Sequence, residues 1–399
     1  MINISLMNDD VYKLFEILFN VHEWTSREIV ILSIISNEMR KLIEINNSKI
    51  NFVFIRQKNN IIFQQIFNSL KAIYQLKNAI RVNLINNDGI GVIETITREE
   101  LDLQKIVSVD IGYNSLDNND KLAEELSMCT KISNLELNNN NFDSDFLKIL
   151  FTKNNFSNLV LFDISFNKIG VKGAKIIAFE LTHLQNLQKF KIADCNIGKE
   201  GAESIASNIG QCTGLTSLNM SFNDIGTKVA TLLCTICTGL VSLNLRDNCI
   251  NDEKDEEFAP KLNCLTRLEK LNLANNDIKK PSEFGEALQN LKLLNLSSTD
   301  FYNLNKYEEN DAYNLALALA QNTSLNDLNL SGNDIERDAA EEIIFSLNCT
   351  NLFSLDISEN QIDDGVEGIK KYCEEKFRKL EYLDTDDNML WDKRYSCGR

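Results

Sequence analysis

Apolar and polar positions along this chain follow two alternating rhythms. The first is an eleven-residue frame, apolar at positions one, four, six and eleven and polar at nine. Leu240-Val-Ser-Leu243-Asn-Leu245-Arg-Asp-Asn248-Cys-Ile250 fills it at every position. The same frame begins at Ile106, Ile132, Leu159, Leu187, Leu215, Leu268, Leu291, Leu325, Leu352 and Leu380, at separations of 23 to 34 residues. A weaker copy starts at Ala79 with Val82, Leu84 and Asn87. Positions four and six, with an outward residue between them, have the two-residue period of a short strand. The second rhythm lies between the frames: Leu122-Ala123 with Leu126, Ile177-Ala178 with Leu181, Ile205-Ala206 with Ile209, and Leu315-Ala316 with Leu319. Apolar residues at i, i+1 and i+4 form the buried stripe of a short amphipathic helix. Strand-then-helix units repeated in register predict a solenoid, since one such unit cannot bury its apolar face alone.

Position nine is asparagine in most copies, from Asn114 and Asn140 through Asn248 to Asn388, with Cys195 and Thr299 as exceptions. An inward amide both donates and accepts, so it can satisfy backbone groups left unpaired where the chain turns. Repeats near 28 residues with one strand and one full helix each resemble the ribonuclease-inhibitor-like subtype of leucine-rich repeats. The resemblance covers roughly residues 105–390. It implies an α/β horseshoe with parallel strands lining the concave face and helices on the convex face.

Residues 1–45 stand outside the repeat and read as an all-α, three-helix segment. Val11, Leu14, Phe15 and Leu18 mark one stripe, and Ile29, Leu32, Ile35 and Met39 another. Asp10-Val-Tyr-Lys-Leu-Phe-Glu-Ile-Leu18 and the block Trp24 to Ile43, above all Leu32-Ser33 and Arg40-Lys41-Leu42-Ile43, resemble an F-box. The usual Leu-Pro opening is absent, and Met39 stands where a tryptophan is typical. The resemblance implies that Leu14, Phe15, Leu18, Ile29, Leu32, Ile35, Leu42 and Ile43 divide between holding the segment together and docking on the adaptor subunit of a cullin-type ubiquitin ligase. The competing reading is a plain helical cap over the first repeat, because a solenoid's apolar end must be covered. Residues 46–104 join this segment to the solenoid, with a predicted helix over Gln64–Leu76 and a strand over Val82–Leu84. Residues 391–399 form a tail.

Composition narrows the class of partner. A formal charge of −17 argues against nucleic acid and anionic membrane surfaces, which reward basic patches. The N-terminus has no signal-peptide core, and the longest greasy run, Ile29 to Ile35, is far short of the ~20 residues that span a bilayer. The ten cysteines are scattered through a long chain rather than packed as a disulfide framework, which fits a reducing, cytosol-like compartment. Four of them, Cys129, Cys212, Cys237 and Cys349, sit three residues before a frame and read as buried spacers. Cys234 and Cys237 make a formal CxxC without a second ligand pair.

No catalytic, cofactor or metal site is expected. His22 and His183 are the only histidines, and neither lies beside a candidate nucleophile in sequence. No phosphate loop occurs. The nine residues after Leu390 are too few for the cysteine-nucleophile domain that bacterial leucine-rich-repeat ubiquitin ligases carry. An Asn- and Ile-rich chain with two prolines fits an AT-rich genome, hence an effector delivered into a host cytosol by an intracellular bacterium.

The candidate binding surface is the concave floor, formed by outward residues of each strand and the two after it. Acidic residues there outnumber basic ones, and the last three repeats contribute Asp327, Asp356, Glu359, Glu381, Asp384, Asp386 and Asp387 with no basic residue. Lys189, Lys191, Arg246, Lys270 and Lys292 make a mixed central zone. Tyr113, Phe166 and Phe222 share position eight, while Phe353 and Tyr382 face outward elsewhere; exposed aromatics are candidate contact anchors. The 34-residue repeat from Leu291 adds a loop, Phe301 to Asp311, bearing Tyr302 and Tyr307. Together these features predict a monomeric, non-catalytic adaptor that recruits a protein target to a ubiquitin ligase. The rival prediction is a binding protein or inhibitor whose N-terminal helices only cap the solenoid.

Overall fold

The computed structural model describes residues 51–53, 81–83, 103–153, 156–251, 258–278, 281–299 and 311–388. The chain divides into two compact units between Lys168 and Ile169. The F-box-like residues Leu14, Phe15, Leu18, Ile29, Leu32, Ile35, Leu42 and Ile43 lie outside the described residues, as do the predicted helix Gln64–Leu76, residues 301–310 of the inserted loop and the tail.

In the first unit, strands β1 (Asn51–Val53), β2 (Arg81–Asn83), β3 (Ser108–Asp110), β4 (Asn134–Glu136) and β5 (Leu161–Asp163) pair in parallel and in chain order. β2 falls on the weak frame at Ala79, whereas β1 has no frame around it. Helices α1 (Asp120–Ser127) and α2 (Ser144–Leu150) lie between successive strands. Each starts at a side-chain cap: Asn119 accepts the Leu122 N–H at 2.8 Å and Asp143 the Asp145 N–H at 2.7 Å. The predicted stripe of α1 (Leu122, Ala123 and Leu126) is fully buried. Phe142 and Phe146 stack at 3.9 Å and fill the core beside α2.

The second unit repeats the plan with strands β6 (Lys189–Lys191), β7 (Ser217–Asn219), β8 (Ser242–Asn244), β9 (Lys270–Asn272), β10 (Leu293–Asn295), β11 (Asp327–Asn329), β12 (Ser354–Asp356) and β13 (Tyr382–Asp384). All pair in parallel with their sequence neighbours. The strands begin one residue before the predicted Leu-x-Leu, but hydrogen bonding continues beyond them: Leu245 N–H donates to Asn272 O and Asp247 N–H to Ala274 O, both at 2.9 Å. Leu243, Leu245 and Ile250 are buried completely or nearly so, which places the frame's apolar positions in the core.

Helices α3 (Gly170–Glu180), α4 (Gly198–Ile209) and α5 (Gly226–Ile236) each open on a glycine with positive φ. Gly226, at φ 73°, occupies a conformation that L side chains resist. The next two repeats differ among the described residues. Between β8 and β9 these form α6 (Phe258–Lys261) and a 3-10 turn, Leu262–Cys264. Between β9 and β10 the described residues form a 3-10 segment, Pro281–Leu288, bent at Gly285 with φ 51°. A 23-residue repeat leaves too little chain for a full helix between β9 and β10. Phe258, Phe284 and Leu288 still fill the core at those levels. Full helices return with α7 (Asp311–Ala320), α8 (Arg337–Ser346) and α9 (Val366–Lys376).

Candidate functional site

The face that could meet a partner is the outer surface of the parallel strands, and the asparagine ladder fixes its geometry. Asn248, fully buried, donates through Nδ2 to its own repeat's Leu245 O and to Met220 O of the preceding repeat, both at 3.0 Å. Its Oδ1 accepts the Asn223 N–H at 3.0 Å and the Ile225 N–H at 3.4 Å. Asn276 holds Asn248 N–H and Ile250 N–H in the same way. The exceptions follow from side-chain chemistry: the Thr299 hydroxyl is shared between Leu296 O at 2.7 Å and Asn333 Oδ1 at 3.1 Å, and the Cys195 thiol reaches Ala193 O at 3.4 Å.

Two further positions shape the exit from each strand. Position five is almost always Asn or Asp, and its Oδ1 accepts the amide two residues on. Arg246 N–H donates to Asn244 at 3.1 Å, Ser331 N–H to Asn329 at 2.9 Å, Ser358 N–H to Asp356 at 3.1 Å and Asp386 N–H to Asp384 at 3.1 Å. This is an Asx turn, a local job the repeat pattern alone assigns to none of them. Position eight has positive φ in every described frame, from Tyr113 at 59° and Phe166 at 58° to Phe222 at 58°, Asp247 at 53° and Glu359 at 53°. For an aromatic residue that conformation costs on the order of 1–2 kcal/mol. It swings the ring out of the strand line and leaves it exposed, so Phe166 and Phe222 do not bury themselves along the ladder.

The predicted contact residues fall into separate groups. Tyr113 and Phe166 belong to the first unit, where Asp110, Glu136 and Asp163 are register partners across β3, β4 and β5. In the second unit Phe222 and Arg246 come together, with the guanidinium 5.3 Å from the ring centroid, while the buried Arg246 Nε makes no hydrogen bond. At the far strands of that unit Phe353 is 45% exposed and Tyr382 49%. Asp356 and Asp384 are direct register partners beside them, and Glu359 and Asp386 are exposed one turn further on. Phe353 also lines a shallow depression of about 440 Å³ with Asn326, Asp327, Asn351 and Lys379. Asn326, Asn351 and Lys379 were absent from the predicted surface, because they flank the first frame position rather than occupy outward strand sites.

The reactive side chains are placed as structural parts. Cys129, Cys212, Cys237 and Cys349 are buried, and desolvation pushes the thiols of Cys129 and Cys237 up to about 12 and that of Cys212 up to about 11. Burial also raises Cys234, the other half of the CxxC pair. Exposed His183 sits 3.7 Å from the buried carboxylate of Glu180, whose pKa is raised by desolvation and partly restored by that imidazole. Among the described residues no group of three or more His, Cys, Asp or Glu could hold a metal ion, and no helix is long and apolar enough to cross a membrane.

Comparison with known proteins agrees with this geometry. Residues 157–178, 183–206, 211–234, 237–253, 321–343 and 348–369 match the family "Leucine Rich repeat". The chain therefore carries leucine-rich repeats, and its fold is a leucine-rich-repeat α/β solenoid. A similar solved structure is the crystal structure of the Rad7 and Elc1 complex in yeast. It has a TM-score of 0.56 and 16% sequence identity, covering 98% of this chain and 96% of that one. At that identity the likeness is one of fold. No curated protein sequence matches the chain.

Proposed function

We propose that this chain is a non-catalytic protein-binding adaptor whose open sheet face holds a target protein. One observation carries the reading. Leu355 is buried in β12, while Phe353 just before that strand and Tyr382 of β13 are about half exposed among carboxylates, and apolar rings on an otherwise polar face are the usual anchors of an interface. The structural neighbour from yeast was solved as a complex of two proteins, which supports partner binding as a use of this architecture. The repeats of the present chain are of the ribonuclease-inhibitor-like subtype, and it works as a monomer in a cytosol-like compartment, that of a host cell if it is a delivered effector.

The finer part of the proposal concerns residues 1–45. Their resemblance to an F-box makes the chain a substrate receptor that docks on the adaptor subunit of a cullin-type ubiquitin ligase and raises the local concentration of its target there. The test is retention of the full-length protein on immobilised, purified ligase adaptor, with the double substitution Leu32→Ala and Leu42→Ala beside it. Retention of the parent and loss in a double variant with unchanged circular dichroism supports the receptor. No retention of the parent removes the ligase connection and leaves a binding protein with a helical cap.

A further inference from the structure

The last two strands carry a charge that their exit turns do not require, although Asp356 Oδ2 also accepts from Asn329 Nδ2 at 2.8 Å. From β7 onward, position five reads Asn219, Asn244, Asn272, Asn295 and Asn329, then Asp356 and Asp384. In all seven the side-chain oxygen accepts the amide two residues on, at 2.9–3.1 Å. Asparagine meets the needs of this turn in five consecutive repeats, so the turn cannot be the reason for aspartate in the next two. The charge is also opposed by its surroundings. Asp356 and Asp384 are directly opposite each other on neighbouring strands, where like charges are unfavourable. On the helix side, acidic and basic residues of neighbouring repeats pair off, as in Lys175–Glu200, Lys228–Glu203 and Arg337–Asp364. Among the described residues no lysine or arginine pairs with Asp356, Glu359, Asp384 or Asp386.

Apolar surface sits directly beside this unneutralised charge. The exposed ring of Phe353 borders the shallow depression, with Lys379 held on its rim by a 2.6 Å bond to Asn351 Oδ1. Tyr382 donates its hydroxyl to Asp384 Oδ2 at 2.8 Å. That bond, then desolvation, then the charges of Asp384, Asp356 and Asp386 raise its phenol above the ordinary tyrosine range, so these carboxylates converge on one spot.

We propose that the sheet face over β11–β13 binds an extended basic segment of a partner protein, with lysine or arginine side chains over Asp356, Asp384 and Asp386 and an intervening apolar side chain in the depression beside Phe353. Charge complementarity selects the occupant, because a polyanion is repelled here and a neutral peptide leaves the carboxylate pair unrelieved. The proposal rests on the reading of this face as a protein-binding surface and specifies the chemistry of what it takes.

The test uses the full-length protein and two fluorescein-labelled twelve-residue peptides, one alternating Lys with Leu and Phe, the other with Glu in place of every Lys. Fluorescence anisotropy should show the basic peptide binding, more weakly as salt rises, and the acidic one not binding. The double substitution Asp356→Asn and Asp384→Asn keeps the oxygen that the turn uses. It should stay folded, since relief of the Asp356–Asp384 repulsion offsets loss of the Asn329 Nδ2 bond to Asp356 Oδ2, and it should bind about tenfold more weakly. Phe353→Ser should also weaken binding severalfold. Glu374→Gln with Glu375→Gln on α9 makes the same change in net charge on the helix side and should leave affinity within about twofold. Failure of the basic peptide to bind, equal binding of both peptides, or equal losses from the two double substitutions overturns the proposal. A lysate protein that crosslinks to the sheet face of parent and Asp356/Asp384 variant alike would sink the basic-segment proposal and leave the broader protein-binding reading standing.

Discussion

Replacing Asn248 by alanine tests the ladder at a site where the structure gives a magnitude. Two kinds of partner lose their bonds. The carbonyls of Met220 and Leu245 each keep another donor, because Asn223 Nδ2 reaches Met220 O at 3.1 Å and Asn276 Nδ2 reaches Leu245 O at 3.0 Å. The amides of Asn223 and Ile225 keep none, since each has one hydrogen and both point it at Asn248 Oδ1. Two buried donors left unsatisfied cost about 1–3 kcal/mol apiece, so Asn248→Ala should destabilise the second unit by ~2–6 kcal/mol. Urea unfolding followed by far-UV circular dichroism measures this, with Asn244→Ala, which removes one part-buried turn bond, as a comparison expected to lose only about 1 kcal/mol. Because a repeat array can lose cooperativity, the comparison should rest on transition midpoints as well as extrapolated free energies. A loss of under ~1 kcal/mol for Asn248→Ala would refute the reasoning, for it would mean that water or backbone movement satisfies those amides as well as the side chain does.

Further outcomes are expected at other sites. Glu180 has a folded-state pKa raised mainly by burial, so its contribution to stability is present below the ordinary glutamate range and is lost as pH rises through the raised value. Glu180→Gln should therefore gain stability over the parent at neutral pH, with the gain shrinking toward pH 4; thermal melts across that range would contradict this if the gain grew on acidification. Iodoacetamide on the native protein, read by mass spectrometry, should label Cys264 fastest among the described cysteines. Cys249 should be slower because its thiol donates to Asp224 at 2.8 Å, and Cys129, Cys234 and Cys237 should stay unlabelled until denaturant is added. Tyr113→Asn places at position eight a residue that already tolerates positive φ at Asn139 and Asn275, and should raise stability by on the order of 1 kcal/mol in chemical denaturation.

How much of this was legible in the sequence depended on whether a residue's job left a periodic trace. The ladder did, because a polar residue recurring among buried apolar ones has to meet buried backbone groups, and Asn248 makes the bonds its type allows. The exposure of Tyr382 did as well, since strand alternation puts it outside, whereas Phe353 shares the parity of buried Leu355 and is exposed because it precedes β12. The Asx role of Asn244 or Asp356 did not: a hydrogen bond to an amide two residues away looks, in sequence, like any polar surface position. Nor did the positive φ at position eight, which Tyr113, Phe222, Asp247, Ser298 and Glu359 share without a common residue type. The 3-10 segment Pro281–Leu288 in place of a full helix has its trace in Pro281 and in the 23-residue spacing of that repeat. β1 carries no frame, and the depression draws on three successive repeats through residues that flank the frame, so neither has a signature along one stretch of chain.

The most direct test of the account is carbodiimide labelling of surface carboxylates, with the protein free and then bound to a partner it retains. Mass spectrometry would read the extent of labelling at each residue. Protection confined to Asp356, Glu359, Asp384 and Asp386, with Glu374 and Glu375 on α9 labelled equally in both states, is the result expected if the strand surface grips the partner. Protection of the α9 pair with the sheet carboxylates unchanged would contradict it.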